Sequence, residues 1–289
     1  TSLRRRKEGN SASAGISTVQ DRTQGTVRQG VLAAHQGGTI KMAAKAVKQA
    51  YPKRHDGRGW EELRPMAGKV GIIPRADGSA MFRMGHTVAY AAVYGPRELH
   101  PRFMQNPETG ILRCRYNMMP FSGHGERVRP GGGRRSQEIS MLISKALMPV
   151  LDLKEYPNAV IDVFIELPET DAGTRCAAIC AAAMALADAG LMMKDLVVAL
   201  SMGHYEGKIM ADIDGHEDCE IGISDIPVAY IPSMDKFSLL QLDGEVPKED
   251  LKKVLEIAKQ KAMEIYKVQQ DALKAKFAAE NHEHKKVRA

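Results

Sequence analysis

The sequence lacks any long hydrophobic run. Although 44% of its 289 residues are hydrophobic, no apolar stretch approaches the roughly 18 residues that a membrane-spanning helix needs. The N-terminus is basic, but the apolar segment that completes a secretory signal peptide does not follow it. These absences exclude a helical membrane protein, so we expect a cytoplasmic protein without a membrane partner.

Cysteine is scarce, and the sequence offers no obvious pairing for it. The four cysteines form no C-x-x-C motif, and no His or Cys partner stands at zinc spacing from them. Cys176 and Cys180 lie four residues apart in an alanine-rich run, which would place both on one face of a helix and is compatible with a metal. We favour the simpler interpretation that they are small, buried hydrophobic side chains.

Positive charge is concentrated at one end of the chain. The formal net charge is +6, yet residues 1–58 hold twelve Lys and Arg against three Asp and Glu, whereas the remainder holds twenty-nine against thirty-two. The body of the protein is therefore mildly acidic. The isoelectric point alone does not indicate nucleic-acid binding, and any RNA-binding charge must be concentrated locally.

The residue composition changes along the chain. Residues 1–41 are rich in Ser, Gly, Gln, Thr and Arg without a sustained hydrophobic period, which is typical of disorder. We predict that the segment before Met42 is not native. The expected regions are a disordered extension at 1–50, a folded domain at 51–280 with a core at 54–192 and a C-terminal subdomain at 193–280, and a polar tail at 281–289.

The folded region alternates between two kinds of hydrophobic spacing. Short β-type runs are separated by turn signals such as Asp77-Gly78, which is typical of antiparallel hairpins, and segments with helical spacing lie between them. Strands are predicted at Lys69–Ile73, Ser79–Met84, Thr87–Tyr94, Ile111–Asn117, Ala159–Leu167, Val197–Met202, Lys208–Asp214, Val228–Ile231 and Phe237–Leu242, and helices at Gln137–Asp152, Ala172–Ala189 and Pro247–Ala279. Antiparallel strands mixed with a few helices indicate an α+β fold.

Arginines lie just before or within the first turn of two predicted helices. Arg134 and Arg135 follow a run of glycines before the first helix, and Arg175 lies at the start of the second. A helix N-terminus carries partial positive charge, so arginine there is locally unfavourable unless an anion is bound by the backbone N–H groups and the guanidinium groups. The alternatives are a solvated glycine loop for the first segment, and Asp171 or Thr170 as an N-cap with Arg175 on the surface for the second.

A loop after the predicted strand Lys208–Asp214 is rich in carboxylates. It contains Glu217, Asp218 and Asp225, which could hold Mg²⁺ or transfer a proton. An acidic loop is also commonly just solvated, so the residues alone leave both interpretations open.

Basic side chains recur near two other predicted strands. Arg97, His100 and Arg102 lie close together, and Arg113 and Arg115 alternate so that they share one face of a strand. These side chains could contact RNA phosphates. An exposed charged strand face is an equal alternative.

Ordered motifs along the chain resemble the RNase PH family, and its archaeal exosome branch in particular. The resemblance extends from about Arg54 to Phe277. The residues that carry it are His55-Asp56-Gly57-Arg58, Glu62-Leu63-Arg64, Ala76–Ala80, Gly85-His86-Thr87, Ala91–Pro96, His100-Pro101-Arg102, Arg115-Tyr116, Pro120-Phe121-Ser122, Arg134-Arg135, Asp162-Val163-Phe164, Asp171–Arg175 and Ala187–Gly190.

The resemblance implies both a fold and a reaction. The fold would be of the ribosomal protein S5 domain 2-like type, with mixed sheets, helices and a long C-terminal helix. Inorganic phosphate would attack the terminal phosphodiester of single-stranded RNA and release nucleoside diphosphates in the 3′-to-5′ direction. The catalytic chain would alternate with a non-catalytic RNase PH-type subunit in a hexameric ring of three heterodimers, with RNA-binding cap subunits.

The resemblance also assigns roles to individual residues. Phosphate would be bound by Arg135, Gly173, Thr174 and Arg175. The catalytic carboxylates, and the ligands of Mg²⁺ or Mn²⁺, would be Asp218 and Asp225. RNA would be contacted by Arg102, Arg134 and Arg135, and also by Arg113 and Arg115 if the strand face described above lines its path.

One position departs from the family pattern. The two acidic positions lie six residues apart in the family, whereas Asp218 and Asp225 lie seven apart, so either the loop bulges or the pairing of positions is shifted. Two other functions stay open: a stand-alone RNase PH that trims transfer RNA, and a non-catalytic ring subunit. The exosome-like Pro101-Arg102 region argues against the first, and the presence of Arg175 together with Asp218 argues against the second.

Overall fold

A computed structural model describes residues 53–124, 129, 133–221 and 223–287. The predicted disordered extension, the last two residues and most of the glycine run before Arg134 lie outside these ranges. In the described part, no helix is both long enough and apolar enough to cross a membrane.

The first half of the folded region builds a five-stranded mixed sheet. Its strands are β1 (Met66–Val70), β2 (Gly78–Met84), β3 (Thr87–Glu98), β4 (Ile111–Met118) and β5 (Ala159–Glu169). The spatial order is β1-β2-β3-β5-β4. The first three strands form the expected antiparallel meander, and β3 also pairs antiparallel with β5.

The pairing of β4 with β5 is parallel, which the expectation of antiparallel strands did not include. Helix α1 (Arg134–Leu147) lies between these strands in the chain. A parallel pair requires such a crossover connection, because the chain must return to the same end of the sheet. The helix begins three residues earlier than predicted, so Arg134 and Arg135 belong to its first turn.

The second sheet has four antiparallel strands. They are β6 (Val198–Tyr205), β7 (Lys208–Ala211), β8 (Ser224–Ile231) and β9 (Lys236–Leu240), in the order β7-β6-β8-β9. The loop between β7 and β8 carries the acidic segment, so the sheet holds both ends of that segment in place.

Helix α2 (Thr174–Asp188) packs against strands of both sheets. Every residue from Cys176 to Leu186 is fully buried, as the uniformly apolar sequence predicts. Cys176 and Cys180 are confirmed as buried side chains. Burial raises the pKa of Cys180 to about 12, so this thiol stays protonated and is a poor metal ligand.

The C-terminal helix α3 (Lys248–Val287) covers one side of the core. The apolar side chains of Val254, Ala258, Ala262 and Ile265 recur at helical spacing along it and are all fully buried. The helix extends beyond its predicted end at Ala279, because the residues that follow include neither Gly nor Pro to stop it.

Candidate active site

The turn into α2 leaves the N-terminus of this helix without a side-chain cap. Ala172 and Gly173 both have positive φ, +48° and +60°, and Gly173 is the N-cap. The interpretation of Asp171 or Thr170 as the cap is wrong. Asp171 accepts a hydrogen bond from the Gly215 N–H at 2.9 Å instead, so the first N–H groups of α2 remain available to a ligand.

The N-terminus of α1 has the same character. Its N-cap is Gly133, which makes no side-chain hydrogen bond to the helix, and no acidic residue occupies the first turn. Arg134 and Arg135 occupy that turn, and both are exposed. Both helices therefore carry arginine and no acidic residue in the first turn, where the helix dipole is already positive, an arrangement that favours a bound anion.

One small cavity brings most of the predicted site residues together. Its empty volume is about 290 Å³, including solvent at its mouth. The residues that line it are Arg135, Ala172, Gly173, Thr174, Arg175, Cys176, Ser201, Asp218, Asp225 and Pro227. Two strands of the second sheet, the acidic loop and the starts of both helices thus meet at one place. We call this the inner cavity.

A larger cavity of about 700 Å³ adjoins it and shares Arg135, Arg175 and Pro227. We call this the outer cavity. Gln241 lines it and accepts a hydrogen bond from Arg175 Nη1 at 2.6 Å. Sequence analysis missed Gln241 and its neighbour Asp243, because neither belongs to a helix start or to the acidic loop.

The two predicted carboxylates occupy an environment that favours their protonated forms. Burial raises the pKa of Asp218, the charges of Arg135 and Arg175 oppose the rise, and the carboxylate of Asp243 adds to it. Burial also raises the pKa of Asp225, opposed by the hydrogen bond that Ser201 donates to it. A carboxyl group with a raised pKa is a better proton donor near neutral pH than an ordinary aspartate.

The segment from Asp218 to Asp225 begins in a wide helical turn. Residues Glu217–Ile221 form a π-helical turn, a wide turn that is rare and is found mostly as a single-turn bulge at functional sites. Asp218 lies in this turn and Asp225 lies in β8, yet both line the inner cavity. Both carboxylates therefore reach one cavity although seven positions separate them in the sequence.

Tyr116 lies close to the starts of both helices. Its side chain is buried, and its carbonyl accepts a hydrogen bond from Ser136 in the first turn of α1. Burial raises the pKa of the Tyr116 hydroxyl, whereas the nearby charges of Arg135 and Arg175 lower it. Tyr116 was noted only as part of a motif, since a tyrosine on a strand gives no signal of its neighbours.

The remaining predicted RNA-binding arginines lie outside the two cavities. Arg113 and Arg115 do share the exposed face of β4, as the alternation predicts. Arg113 pairs with Asp162 at 2.8 Å, and Arg115 lies over the ring of Phe164. Arg102 is 80% exposed and lies 3.6 Å from Glu98.

Within the described ranges, Asp218 and Asp225 do not belong to a group of three metal ligands. Among the described residues, the one group of three such donors is His55, Asp214 and Glu217. Both carboxylate oxygens of Glu217 already accept hydrogen bonds from Arg54 at 2.7 Å. Because the guanidinium is a cation, it disfavours a metal ion at this place. In the inner cavity, Asp218 and Asp225 supply two carboxylates of the kind that Mg²⁺ accepts together with water and substrate phosphates.

Two family models match most of the folded region. The model of domain 1 of the 3′ exoribonuclease family, RNase PH, matches residues 62–192, and the model of domain 2 matches residues 195–261. The chain belongs to the RNase PH family. The family and the fold class indicated by the sequence motifs are thereby confirmed.

Curated relatives and solved structures agree with this membership. The exosome complex component Rrp41 of Methanopyrus kandleri is 47% identical over 227 residues, covering 78% of this chain and 94% of that protein. The Rrp41 of Pyrococcus furiosus is 49% identical over 225 residues, covering 78% and 89%.

Among solved structures, rice (Oryza sativa) Rrp46 has a TM-score of 0.65 at 26% identity, covering 76% of this chain and 100% of that one. A chain of the Archaeoglobus fulgidus exosome with RNA bound to the active site has a TM-score of 0.64 at 20% identity, covering 74% and 91%. This second likeness concerns the fold alone.

Proposed function

We propose that this chain is the catalytic RNase PH-type subunit of an archaeal-type exosome and degrades RNA from its 3′ end by phosphorolysis. The inner cavity carries the proposal, because two uncapped helix N-termini, two arginines and two carboxylates meet there. Identity of 45% or more to several archaeal Rrp41 proteins, each over 78% of the chain, supports it.

In the proposed reaction, an oxygen of inorganic phosphate attacks the phosphorus of the terminal phosphodiester. The bond to the 3′ oxygen of the preceding nucleotide breaks, and the terminal nucleotide leaves as a nucleoside diphosphate. The shortened RNA takes up a proton on its 3′ oxygen. Because one phosphate ester linkage is exchanged for a diphosphate linkage, the reaction is reversible, and excess nucleoside diphosphate extends the RNA.

The residues of the inner cavity have different roles in this reaction. Arg135, Arg175 and the N–H groups at Gly173 and Thr174 bind phosphate and offset its repulsion from the RNA phosphate. Asp218, whose pKa is raised, donates the proton to the leaving oxygen. Asp225 is the second carboxylate of the site, and Mg²⁺ or Mn²⁺ held by this pair would add positive charge near the phosphates.

RNA follows a path defined by positive side chains that begins at the inner cavity and continues beyond it. Arg134 and Arg135 contact the terminal phosphates from the start of α1. Arg113 and Arg115 contact phosphates from the exposed face of β4, and Arg102 contacts RNA further along. Such contacts position the strand without selecting its sequence.

The proposed partners are a non-catalytic RNase PH-type subunit, in a ring of three heterodimers, and RNA-binding cap subunits. Single-stranded RNA is the substrate, and the cytoplasm is the proposed location because RNA and phosphate are both available there. A non-catalytic role for this chain is disfavoured, because the inner cavity retains the arginines and the carboxylates.

An RNA-decay assay tests the function. The chain is purified with a RNase PH-type partner and incubated with 5′-labelled RNA, with and without inorganic phosphate. Decay is expected only with phosphate, and Asp218→Ala is expected to abolish it while the complex still assembles. Decay that is independent of phosphate, or that survives Asp218→Ala, would overturn the assignment.

A further inference from the structure

A buried arginine holds the loop that carries Asp218. The side chains of Arg54 and Glu217 are both fully buried. Arg54 Nε donates to Glu217 Oε1, and Arg54 Nη2 donates to Glu217 Oε2, each at 2.7 Å. This bidentate geometry fixes the plane and the direction of the Glu217 carboxylate.

The same guanidinium also holds the other end of the loop. Arg54 Nη1 donates to the carbonyl of Ala211, and Nη2 donates to the carbonyl of Asp212, each at 2.8 Å. Ala211 is the last residue of β7. One side chain thus bridges the end of that strand to the residue immediately before Asp218.

Glu217 is in turn part of the cap of the turn that contains Asp218. Asp214 Oδ1 accepts from the N–H of Glu217 at 3.1 Å, and Glu217 Oε2 accepts from the N–H of Asp214 at 3.2 Å. This reciprocal pair has the form of a capping box. The N–H of Asp218 then donates to the carbonyl of Asp214 at 3.0 Å, so Asp218 is anchored to the capped residue.

A buried ion pair is weak evidence for stability, because desolvation of both charges offsets their attraction. Its geometric specificity is better evidence for a role in orientation. Arg54 does not line the inner cavity, so it acts on the reaction through Glu217 rather than by contact with substrate.

We propose that Arg54 is a positioning residue, which sets the orientation of Asp218 in the inner cavity by clamping Glu217 and the carbonyls at the start of the loop. This inference rests on the proposed role of Asp218 as the proton donor. Among the described residues, the hydrogen bonds of Arg54 go to Glu217 and to backbone carbonyls of other segments. None of them reaches α1 or α2, which carry Arg135, Thr174 and Arg175. Loss of the clamp therefore affects the proton-transfer step and leaves phosphate binding intact.

The test uses the chain in complex with its ring partner and measures kcat and the KM for phosphate in RNA decay. Arg54→Lys keeps the charge but loses the bidentate fork. It is expected to lower kcat by roughly 10- to 100-fold, since small misplacements of catalytic groups have effects of this size. The KM for phosphate is expected to stay within about twofold, and Arg83→Lys, at an exposed guanidinium, is the matched control.

A paired substitution separates orientation from stability. Arg54→Met with Glu217→Met removes both buried charges and keeps an apolar filling, which is often neutral for stability. Because the carbonyls of Ala211 and Asp212 also lose their donor, the pair variant is expected to keep a higher melting temperature than Arg54→Met alone but not to regain kcat. If the pair variant regains kcat, or if Arg54→Lys raises the KM for phosphate while kcat is unchanged, the positioning role is overturned.

Asp218→Asn is measured in the same assay. Activity that survives this change would contradict the proposed function itself. An inactive Asp218→Asn variant beside a fully active Arg54→Lys variant would contradict only the role of Arg54.

Discussion

Arg175 offers the sharpest test of the anion site, because its guanidinium lines both cavities. One guanidinium nitrogen, Nη1, already donates a hydrogen bond to Gln241 Oε1 at 2.6 Å. This bond orients the other N–H groups of the guanidinium. Arg175→Lys keeps the positive charge, but an ammonium group cannot hold Gln241 and present a planar pair of donors to phosphate at the same time.

The magnitude follows from the loss of one charge-assisted hydrogen bond to phosphate. Such a bond contributes about 1.5–3 kcal/mol, and about 1.4 kcal/mol corresponds to a factor of ten in affinity. The KM for phosphate is therefore expected to rise roughly 10- to 150-fold in Arg175→Lys. The KM for RNA at saturating phosphate is expected to change much less.

The assay is RNA decay by the assembled complex over a range of phosphate concentrations, with Arg83→Lys as the matched control. An unchanged KM for phosphate in Arg175→Lys would refute the reasoning. So would an equal rise in the KM for RNA and the KM for phosphate, because Arg175 would then act on RNA rather than on the attacking anion.

Four further outcomes are expected. Gln241→Leu leaves Arg175 in place without its support, so the KM for phosphate should rise in phosphate titrations, but by less than in Arg175→Lys. Burial raises the pKa of Asp218 above the ordinary value of 3.8. Ionisation of Asp218 therefore lowers the free energy of unfolding as the pH rises above that value. Asp218→Asn should raise the melting temperature at about pH 7 and not at about pH 3. In Gly203→Ala, the new Cβ would lie 2.6 Å from Ile213 Cγ2, and urea unfolding should show a loss of about 1–3 kcal/mol. With excess nucleoside diphosphate and little phosphate, gel analysis should show RNA that lengthens, and a complete absence of extension would contradict the reversible exchange.

Sequence reasoning succeeded where a single segment carries its own signal. The apolar residues around α2 predicted a buried helix, and the arginines at the starts of α1 and α2 predicted that the two helix starts share one place, where Arg135 and Arg175 do lie together. The alternation of Arg113 and Arg115 predicted the exposed face of β4. Each of these inferences depends on local spacing, which the fold preserves.

The parts that sequence reasoning missed depend on contacts between distant segments. Arg54 and Glu217 are 163 residues apart, and no local pattern connects them. Gln241 reaches Arg175 only because β9 lies beside β8 in the second sheet. The parallel pairing of β4 and β5 is likewise a property of the crossover through α1 rather than of either strand.

The central claim is that one inorganic anion is held between the starts of two helices and faces the Asp218 carboxyl group. The most direct measurement is a crystal structure of the assembled complex soaked with phosphate. The account predicts density for a tetrahedral anion within hydrogen-bond distance of Arg135, Arg175 and the N–H of Thr174. A phosphate bound away from these groups, or an inner cavity that stays empty at phosphate concentrations that support RNA decay, would contradict it.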